Sequence, residues 1–233
     1  MLGNSPQIII AIDGPAASGK STTARGVARK LSYRYIDTGA MYRAITVKVL
    51  DLGIDPHDAD AISELVQHIG VTQQEGESGP RFLLDGVDVT GRLRTPEVDQ
   101  AIGPVCEVPA VRERMVALQR QLGQNGGVVL EGRDIGTVVF RQAELKVFLT
   151  ADLTERARRR SKQYQHKGPS ADVEFIEETL KTRDRRDSQR QLSPLTKADD
   201  ARELDTTTLT IEQQVDIIVG WARTIINQKN ENP

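Results

Sequence analysis

The chain has 233 residues, of which 38% are hydrophobic and only 4% aromatic, so it is long enough for one large α/β domain with an aliphatic core. The net charge of −2 argues against a general nucleic-acid binder, and no apolar run approaches the roughly 20 residues that cross a bilayer. The N-terminus lacks the pattern of a secretory signal, and the lone Cys106 cannot form an internal disulfide. We therefore expect a cytoplasmic protein that binds neither membranes nor nucleic acid.

Strands and helices alternate along the first third of the chain. Apolar runs and helical periodicity predict a buried strand at residues 8–12, a helix at 20–31, a strand at 33–36, and helices at 40–52 and 58–69. Gly53 is a natural end for the second helix, because glycine readily adopts the left-handed conformation found there. This order is typical of a parallel sheet covered by helices.

The pattern changes after residue 70. Residues 71–89 form short alternating segments with an Asp85-Gly86 pair, a hairpin signal, and predict a small antiparallel insert. The rest of the chain predicts strands at 128–131, 145–151 and within 203–210, and helices at 96–105, 109–122, 154–163, 173–190 and 211–226. We expect the polar residues after Ile226 to be a frayed tail.

The predicted fold is a doubly wound parallel α/β sheet. Ligands of such sheets bind at the carboxyl ends of the strands. The residues that directly follow predicted strands are Gly14, Asp37, Gly132 and Ala151. Candidate functional residues are therefore expected to converge on one edge of the sheet.

The segment "GPAASGKS" between the first strand and the first helix fits the phosphate-binding pattern G-x-x-x-x-G-K-[ST]. Backbone amides of such a loop form an anion nest, the lysine reaches the β- and γ-phosphates, and the serine hydroxyl binds Mg²⁺. The predicted ATP-binding residues are Gly14, Pro15, Ala16, Ala17, Ser18, Gly19, Lys20, Ser21 and Thr22. A chance glycine-rich turn is the alternative, but the strand and helix supply the context that the motif requires.

This loop alone does not separate kinases from other nucleotide-binding proteins. A GTPase would carry an Asn-Lys-x-Asp motif for guanine, which the sequence lacks. The segment "DTGAMYR" places Thr38 and Gly39 at a predicted helix start and Arg43 about one turn in, an arrangement that suits a phosphate. The alternative is an ordinary helix cap followed by a surface arginine.

Two further segments carry charge next to apolar runs. In "EGRDIGTVV", Arg133 and Asp134 follow a buried strand, where side chains enter the active crevice of such folds. A surface turn is the alternative, although a charged pair between two apolar runs would be costly if it were buried without partners. In "TRDRRDSQRQ", helical spacing places Arg183, Asp187 and Arg190 on one face. The alternative for the second segment is a salt-bridged surface helix, which is our interpretation of Arg185 and Arg186.

Arg156 and Arg160 also share a helix face, just before the "QHKGPS" segment. This arrangement would suit a lid whose arginines reach the triphosphate when it closes. We therefore add Arg156 and Arg160 to the predicted ATP-binding residues.

These motifs together resemble bacterial cytidylate (CMP) kinases, in which "GPAASGKS", "DTGAMYR", "GRDIGTVVF" and "TRDRRD" occur in this order. The likeness covers nearly the whole chain. It implies the P-loop fold of nucleoside monophosphate kinases, a single domain over residues 1–233. Its parts would be a core (7–37, 126–158 and 191–228), a monophosphate-binding region (38–125, with the insert at about 71–89) and a lid (about 159–190).

The resemblance also implies residue roles. Lys20, Arg133, Arg183 and Arg190 would be catalytic, and Arg43 with the last three would hold the monophosphate. Asp134 and Arg112 would recognise cytosine, Asp187 with Arg183 would contact the ribose, and Thr38 would lie at the phosphate or base. Gly103 stands where some relatives have a base-contacting serine, so its backbone would have to substitute. Glu131 stands where several relatives have aspartate, and Asp37 is a candidate for binding Mg²⁺ through water.

The activity implied is ATP + CMP ⇌ ADP + CDP in pyrimidine nucleotide metabolism, with Mg²⁺ accompanying ATP and dCMP as a second acceptor. We expect a monomer and no general base, because the CMP phosphate is already an anionic nucleophile. Two alternatives stay open: another small-molecule P-loop kinase, such as a shikimate or gluconate kinase, and a non-catalytic ATP-binding module.

Overall fold

The computed structural model describes residues 6–76, 79–165 and 173–231. Its strands are β1 (Ile9–Asp13), β2 (Arg34–Asp37), β3 (Val71–Gln74), β4 (Arg81–Leu84), β5 (Val87–Asp88), β6 (Val128–Gly132), β7 (Leu145–Thr150) and β8 (Arg202–Asp205). The expected strands all form. The bounds of β1, β2, β6 and β7 differ from the predicted ones by at most one residue at each end, whereas β8 begins one residue before the predicted segment 203–210 and covers only its first part.

The helices follow the predicted order as well. They are α1 (Lys20–Leu31), α2 (Thr38–Asp51), α3 (Ala59–His68), α4 (Pro96–Glu107), α5 (Pro109–Gly123), α6 (Leu153–Gln165), α7 (Val173–Gln189) and α8 (Ile211–Glu231). A short 3₁₀ turn (Thr90–Arg92) and a π-helical turn (Ile135–Val139) complete the elements, and neither was predicted. Part of the predicted lid, residues 166–172, lies outside the described residues, as do residues 77–78 of the predicted insert.

The central sheet has five strands in the order β2-β6-β1-β7-β8. β1 pairs in parallel with both β6 and β7, and β7 pairs in parallel with β8. Asp13, the last residue of β1, lies beside Gly132 of β6 and Phe148 of β7. The predicted parallel sheet is therefore confirmed, and its register brings the segments after β1 and β6 to the same edge.

The core of the sheet is aliphatic, as the composition predicts. Ile8, Ile10 and Ile12 are fully buried, and they belong to a cluster that includes residues of β6, β7, α1 and α8. Since α1 and α8 also pack against each other, both helices bury their apolar faces on the sheet. This packing fixes the strand ends from which the site is built.

The chain divides into two compact units, one of residues 6–36 with 123–165 and 173–231, the other of residues 37–122. In the second unit, α2 packs against α4 and against a three-stranded antiparallel sheet in the order β3-β4-β5. The turn between β4 and β5 is the predicted Asp85-Gly86 pair, with φ angles of 51° and 83°. Two successive positive φ angles are the mark of a type I′ hairpin turn, so the antiparallel insert is confirmed.

The prediction of a frayed tail after Ile226 is wrong over the described residues, because α8 continues to Glu231. Lys229 Nζ lies 2.5 Å from Glu144 Oε1, an ion pair that holds this end of the helix to the rest of the first unit. Glutamine, lysine and glutamate are good helix formers, so the polar composition does not oppose the helix. A distant carboxylate of this kind cannot be seen in the local pattern.

Within the described ranges, no helix combines the length and the hydropathy that a transmembrane span requires.

Candidate active site

The phosphate loop leaves β1 in a conformation that its glycines make possible. Gly14 has φ +149°, and a Cβ atom there would lie 2.1 Å from the carbonyl oxygen of Leu149 in β7, so no other residue fits. Gly19 has φ +97° and is the N-cap of α1, which begins at Lys20. The loop therefore lies against β7, with the N-terminus of a helix and its partial positive charge at its end.

Lys20 lies buried within this loop. Its Nζ donates to the carbonyl oxygen of Pro15 at 2.6 Å and to Ser18 Oγ at 3.4 Å. Burial, and then the positive charge of Arg133, lower the pKa of Lys20 to about 7, although Glu131 and Asp13 act in the opposite direction. The lysine is thus held in place by the loop itself, next to a second cation.

Ser21 and Glu131 form an oxygen-rich pair. Glu131 Oε1 accepts hydrogen bonds from Ser21 Oγ at 2.5 Å and from Tyr35 Oη at 2.9 Å. Glu131 is buried at the end of β6, so the parallel register of β1 and β6 places its carboxylate beside the phosphate loop. A hydroxyl and a carboxylate are the protein ligands that Mg²⁺ prefers in sites completed by phosphate oxygens and water.

Asp13 orders the segment that follows β6. Its Oδ1 accepts from the amide of Ile135 at 2.9 Å and its Oδ2 from the amide of Gly136 at 2.8 Å. Burial raises the pKa of Asp13 to about 6, although these two hydrogen bonds lower it. The nearby charge of Asp134 also raises this pKa, so Asp134 lies close to the end of β1. The sequence analysis missed Asp13. The one feature of the sequence that points to it is the position of a carboxylate at the end of an apolar strand.

Three of the predicted arginines lie near one carboxylate, and one of them forms an ion pair with it. Arg133 Nε donates to Asp187 Oδ2 at 2.8 Å, and Asp187 is buried. Burial would raise the pKa of Asp187. The neighbouring guanidinium groups hold this pKa below its ordinary value, and they belong to Arg133, Arg183 and Arg190. Arg133 and Arg183 also lower the pKa of Lys20. The structure therefore brings together residues from the phosphate loop, the end of β6 and α7.

The alternative interpretation of α7 as a salt-bridged surface helix applies to part of it only. Arg185 and Arg186 are exposed, as expected for a solvated face, whereas Asp187 is buried. Arg190 follows the end of α7, and its Nε donates to the carbonyl oxygen of Ser193 at 2.6 Å. The two sides of this helix therefore have different environments.

Arginines of α6 donate to carbonyl oxygens of the phosphate loop, and the predicted contacts of Arg156 and Arg160 with ATP stay predictions. Arg156 is buried and its Nη1 donates to the carbonyl oxygen of Ala16 at 3.2 Å. Arg159, which the sequence analysis did not select, donates to the carbonyl oxygen of Ser18 at 3.4 Å and to Thr206 Oγ1 at 3.1 Å. Arg160 is partly exposed on the same helix. Three arginines at positions i, i+3 and i+4 share a helix face, so spacing alone could not rank them.

In the second unit, Thr38 is the first residue of α2 and is buried. Asp37 is the N-cap: its Oδ1 accepts from the amide of Ala40 at 2.9 Å, and its Oδ2 lies 3.3 Å from Arg94 Nη2. The helix start therefore has the ordinary cap of the alternative interpretation. A role for Asp37 in binding Mg²⁺ through water stays a prediction and would have to compete with these contacts.

Arg43 is no surface arginine, since only 6% of it is exposed. Its Nη2 lies 2.6 Å from Asp99 Oδ1, and its Nη1 donates to the carbonyl oxygen of Leu93 at 2.9 Å. A buried guanidinium that is already paired with a carboxylate is pre-oriented within its unit. Its predicted contact with a phosphate stays a prediction.

Arg112 and Gly103 also belong to the second unit, and both are buried. The Arg112 guanidinium lies over the ring of Tyr42, 5.5 Å from its centroid, and donates to the carbonyl oxygen of Cys106 at 3.4 Å. Gly103 lies inside α4, one residue before Pro104. Because the amide of a residue within a helix ordinarily donates to the helix itself, a base contact from the Gly103 backbone would require α4 to open locally.

The comparisons with known proteins agree with one another. The sequence model of the family described as "Cytidylate kinase" matches residues 10–224. A protein of Limosilactobacillus reuteri named "Cytidylate kinase" is 49% identical over 88% of this chain and 91% of its own. One of the same name from Bacillus thuringiensis is 49% identical over 92% of this chain and 95% of its own.

Among solved structures, a gluconokinase from Sinorhizobium meliloti 1021 covers 99% of both chains with 13% identity and a TM-score of 0.49, which has no bearing on activity. The family assignment depends instead on the extent of the sequence match and on its agreement with the motifs at the sheet edge. The chain belongs to the cytidylate kinase family.

Proposed function

We propose that the protein transfers the terminal phosphoryl group of ATP to CMP, which gives ADP and CDP. The observation that carries this proposal is the cluster of Lys20, Arg133 and Arg183 at the edge of the sheet, in a chain of the cytidylate kinase family. Lys20 belongs to the loop that binds a triphosphate, and the two arginines supply positive charge beside it. Arg190 adds a third guanidinium around Asp187.

Charge is what this reaction requires most from the protein. ATP and CMP are both anions, so their approach is electrostatically unfavourable without fixed cations between them. Arginine suits the task because it stays charged and its planar fork matches phosphate oxygens. A phosphate oxygen of CMP attacks the γ-phosphorus while the bond to the bridging oxygen of ADP breaks, and positioning with charge stabilisation supplies most of the rate.

Ser21 and Glu131 are the residues that would hold Mg²⁺ with ATP. The Mg²⁺ ion supplies charge neutralisation of the phosphates when it is bound. Glu131 accepts from Ser21 and from Tyr35, so its carboxylate is oriented before any nucleotide binds.

Recognition of cytosine is proposed for Asp134 and Arg112, with Asp134 accepting from the exocyclic amine of the base. Asp134 is buried directly after Arg133, so a carboxylate and a phosphate-binding arginine leave the same strand end together. The roles of Thr38, Arg43, Gly103 and Asp187 at the CMP phosphate, base and ribose remain predictions from the resemblance. We propose dCMP as a second acceptor, a monomeric enzyme, and a cytoplasmic role in pyrimidine nucleotide metabolism.

A panel of acceptors tests this function. Purified protein is incubated with ATP, Mg²⁺ and one of CMP, dCMP, UMP, AMP, shikimate or gluconate, and ADP release is followed by a coupled assay. We expect the highest kcat/KM with CMP and the next highest with dCMP. Fastest turnover with shikimate or gluconate would contradict the proposal, and so would ATP binding without any acceptor-dependent ADP release.

A further inference from the structure

Asp184 of α7 was selected by none of the sequence patterns, yet it contacts the phosphate loop directly. We propose that Asp184 is a positioning residue that fixes the peptide group between Pro15 and Ala16 and, through that peptide, the side chain of Lys20. This inference rests on the proposed phosphoryl transfer. It adds to that reaction a residue that touches neither nucleotide.

The two ends of a single peptide group carry the argument. Its N–H, on Ala16, donates to Asp184 Oδ1 at 3.2 Å. Its carbonyl oxygen, on Pro15, accepts from Lys20 Nζ at 2.6 Å. Because a peptide group is planar and rigid, its N–H and C=O point in opposite directions and turn together. Holding the N–H toward Asp184 therefore aims the carbonyl oxygen at Lys20.

Arg156 ties the same carboxylate to the next peptide group of the loop. Its Nη1 forms an ion pair with Asp184 Oδ2 and also donates to the carbonyl oxygen of Ala16 at 3.2 Å. Nε of Arg156 donates to the carbonyl oxygen of Ala151 at 3.0 Å, just before the start of α6. Asp184 thus joins the phosphate loop, α6 and α7 through a short network of charged hydrogen bonds.

The site is shielded enough for these contacts to be strong. The Asp184 side chain is 20% exposed and that of Arg156 is 10% exposed. An apolar cluster lies beside them, in which Ala16 packs with Ala157, Ile176 and Leu180. Hydrogen bonds to ionised groups in such partly buried surroundings are stronger than neutral ones and more specific in direction. Because Ala16 has a small side chain, α6 and α7 can approach the peptide group whose N–H donates to Asp184.

The consequence for catalysis is preorganisation. Lys20 can act on the phosphates of ATP only if its ammonium group starts from a defined place. Without the Asp184 acceptor, the peptide group is free to turn, and the resting contact of Lys20 with the Pro15 carbonyl oxygen is lost. Misplacement of a catalytic group by about 1 Å can lower a rate on the order of a hundredfold.

A simpler role for Asp184 would be to join α6 to α7 through its ion pair with Arg156. Two substitutions separate that role from ours. Asp184→Ala removes both the acceptor for Ala16 and the ion pair. Asp184→Asn keeps an oxygen that accepts from the Ala16 amide, while the charge that pairs with Arg156 is gone. The matched control is Arg185→Ala, since Arg185 is exposed on the same helix and lies outside the proposed site.

The experiment measures kcat, KM for ATP and KM for CMP in the coupled assay, together with ATP affinity by calorimetry without acceptor and the melting temperature Tm. We expect Asp184→Ala to lower kcat by about tenfold to a hundredfold and to weaken ATP binding, with KM for CMP little changed. Asp184→Asn should keep kcat within about threefold of wild type although it loses the ion pair. Arg185→Ala should match wild type.

The inference is overturned if Asp184→Asn is as impaired as Asp184→Ala, because the ion pair alone would then explain the role. It is also overturned if Asp184→Ala matches the Arg185→Ala control, or if Asp184→Ala lowers only Tm and the active fraction. Failure of the proposed function looks different: wild-type protein itself would then show no CMP-dependent ADP release, while the effect of Asp184 on ATP affinity would still be measurable.

Discussion

The body and the carboxyl end of β1 differ sharply over a few residues. Ile10 and Ile12 are fully buried among aliphatic neighbours, and burial there is favourable. Asp13 at the end of the strand and Lys20 in the loop that follows are buried too, but their pKa values move to about 6 and about 7. The comparison shows that the apolar part of the sheet stabilises the fold, whereas its edge holds charges in surroundings that disfavour them.

The directions of the two pKa shifts determine the pH range in which Asp13 and Lys20 destabilise the folded protein. The pKa of Asp13 is raised from 3.8, so its contribution to stability is present below about pH 4 and is lost as the pH rises through about 6. The pKa of Lys20 is lowered from 10.5. The stability that this lysine contributes to the folded protein is therefore present above about pH 10.5 and is lost as the pH falls through about 7. Near neutral pH both groups therefore disfavour the folded protein without nucleotide. Phosphates bound beside Lys20 would favour its charged form, so the lysine would then stabilise the folded protein.

The largest expected effect comes from removing the charge of the phosphate loop. Lys20→Met should lower kcat by about a thousandfold, roughly 4 kcal/mol of transition-state stabilisation, because no other side chain of the loop is cationic. Steady-state kinetics with CMP as acceptor give this value. Circular dichroism confirms that the variant is folded, and a kcat within about tenfold of wild type would mean that Lys20 does not act on the phosphates.

Arg133→Ala comes next and tests the arginine cluster. We expect kcat to fall about a hundredfold, roughly 3 kcal/mol, with only a small change in Tm, because Asp187 keeps Arg183 and Arg190 as neighbours. The matched control is again the exposed Arg185→Ala. A near-normal kcat for Arg133→Ala would remove Arg133 from the reaction.

A smaller effect is expected for recognition of the base. Asp134→Ala should reduce the ratio of kcat/KM for CMP to that for UMP by about thirtyfold, near the 2 kcal/mol typical of a hydrogen bond to an ionised group. Measurement with both acceptors on one preparation gives the ratio directly. A variant that keeps the full preference for CMP shows that other groups recognise the cytosine amine.

The smallest effect should appear in the body of the strand. Ile10→Val removes one buried methylene, and we expect about 1 kcal/mol less stability with kcat unchanged. Denaturant unfolding and steady-state kinetics test the two parts separately. A loss of activity in the folded variant would show that core and edge are not as independent as the comparison implies.

Much of this organisation is predictable from the sequence because its signals are local. The spacing of Gly14, Gly19 and Lys20 between an apolar strand and a helix specifies the phosphate loop, and the Asp85-Gly86 pair specifies a hairpin. Helical spacing also places Arg183 and Asp187 on one face. Each of these inferences needs only neighbouring residues and the periodicity of the backbone.

The contacts that complete the site are not predictable in this way. Ala16 and Asp184 are 168 residues apart, and Asp13 lies 122 residues from the Ile135 amide that it accepts from. No local pattern distinguishes Arg159 from Arg160 on α6. Which carboxylate or arginine meets the loop is decided by how helices pack on the sheet, and a single sequence does not encode that in any short segment.

The most direct test compares the thermal stability of wild type and Lys20→Met at pH 7, with and without ATP and Mg²⁺. Without nucleotide, we predict a higher Tm for Lys20→Met, because the variant no longer buries a poorly compensated ammonium group. With nucleotide, wild type should gain more than the variant, since phosphates stabilise the charged lysine. A wild-type protein that is the more stable without nucleotide, or equal gains in both proteins, would contradict the claim that this edge holds charge in readiness for a polyphosphate.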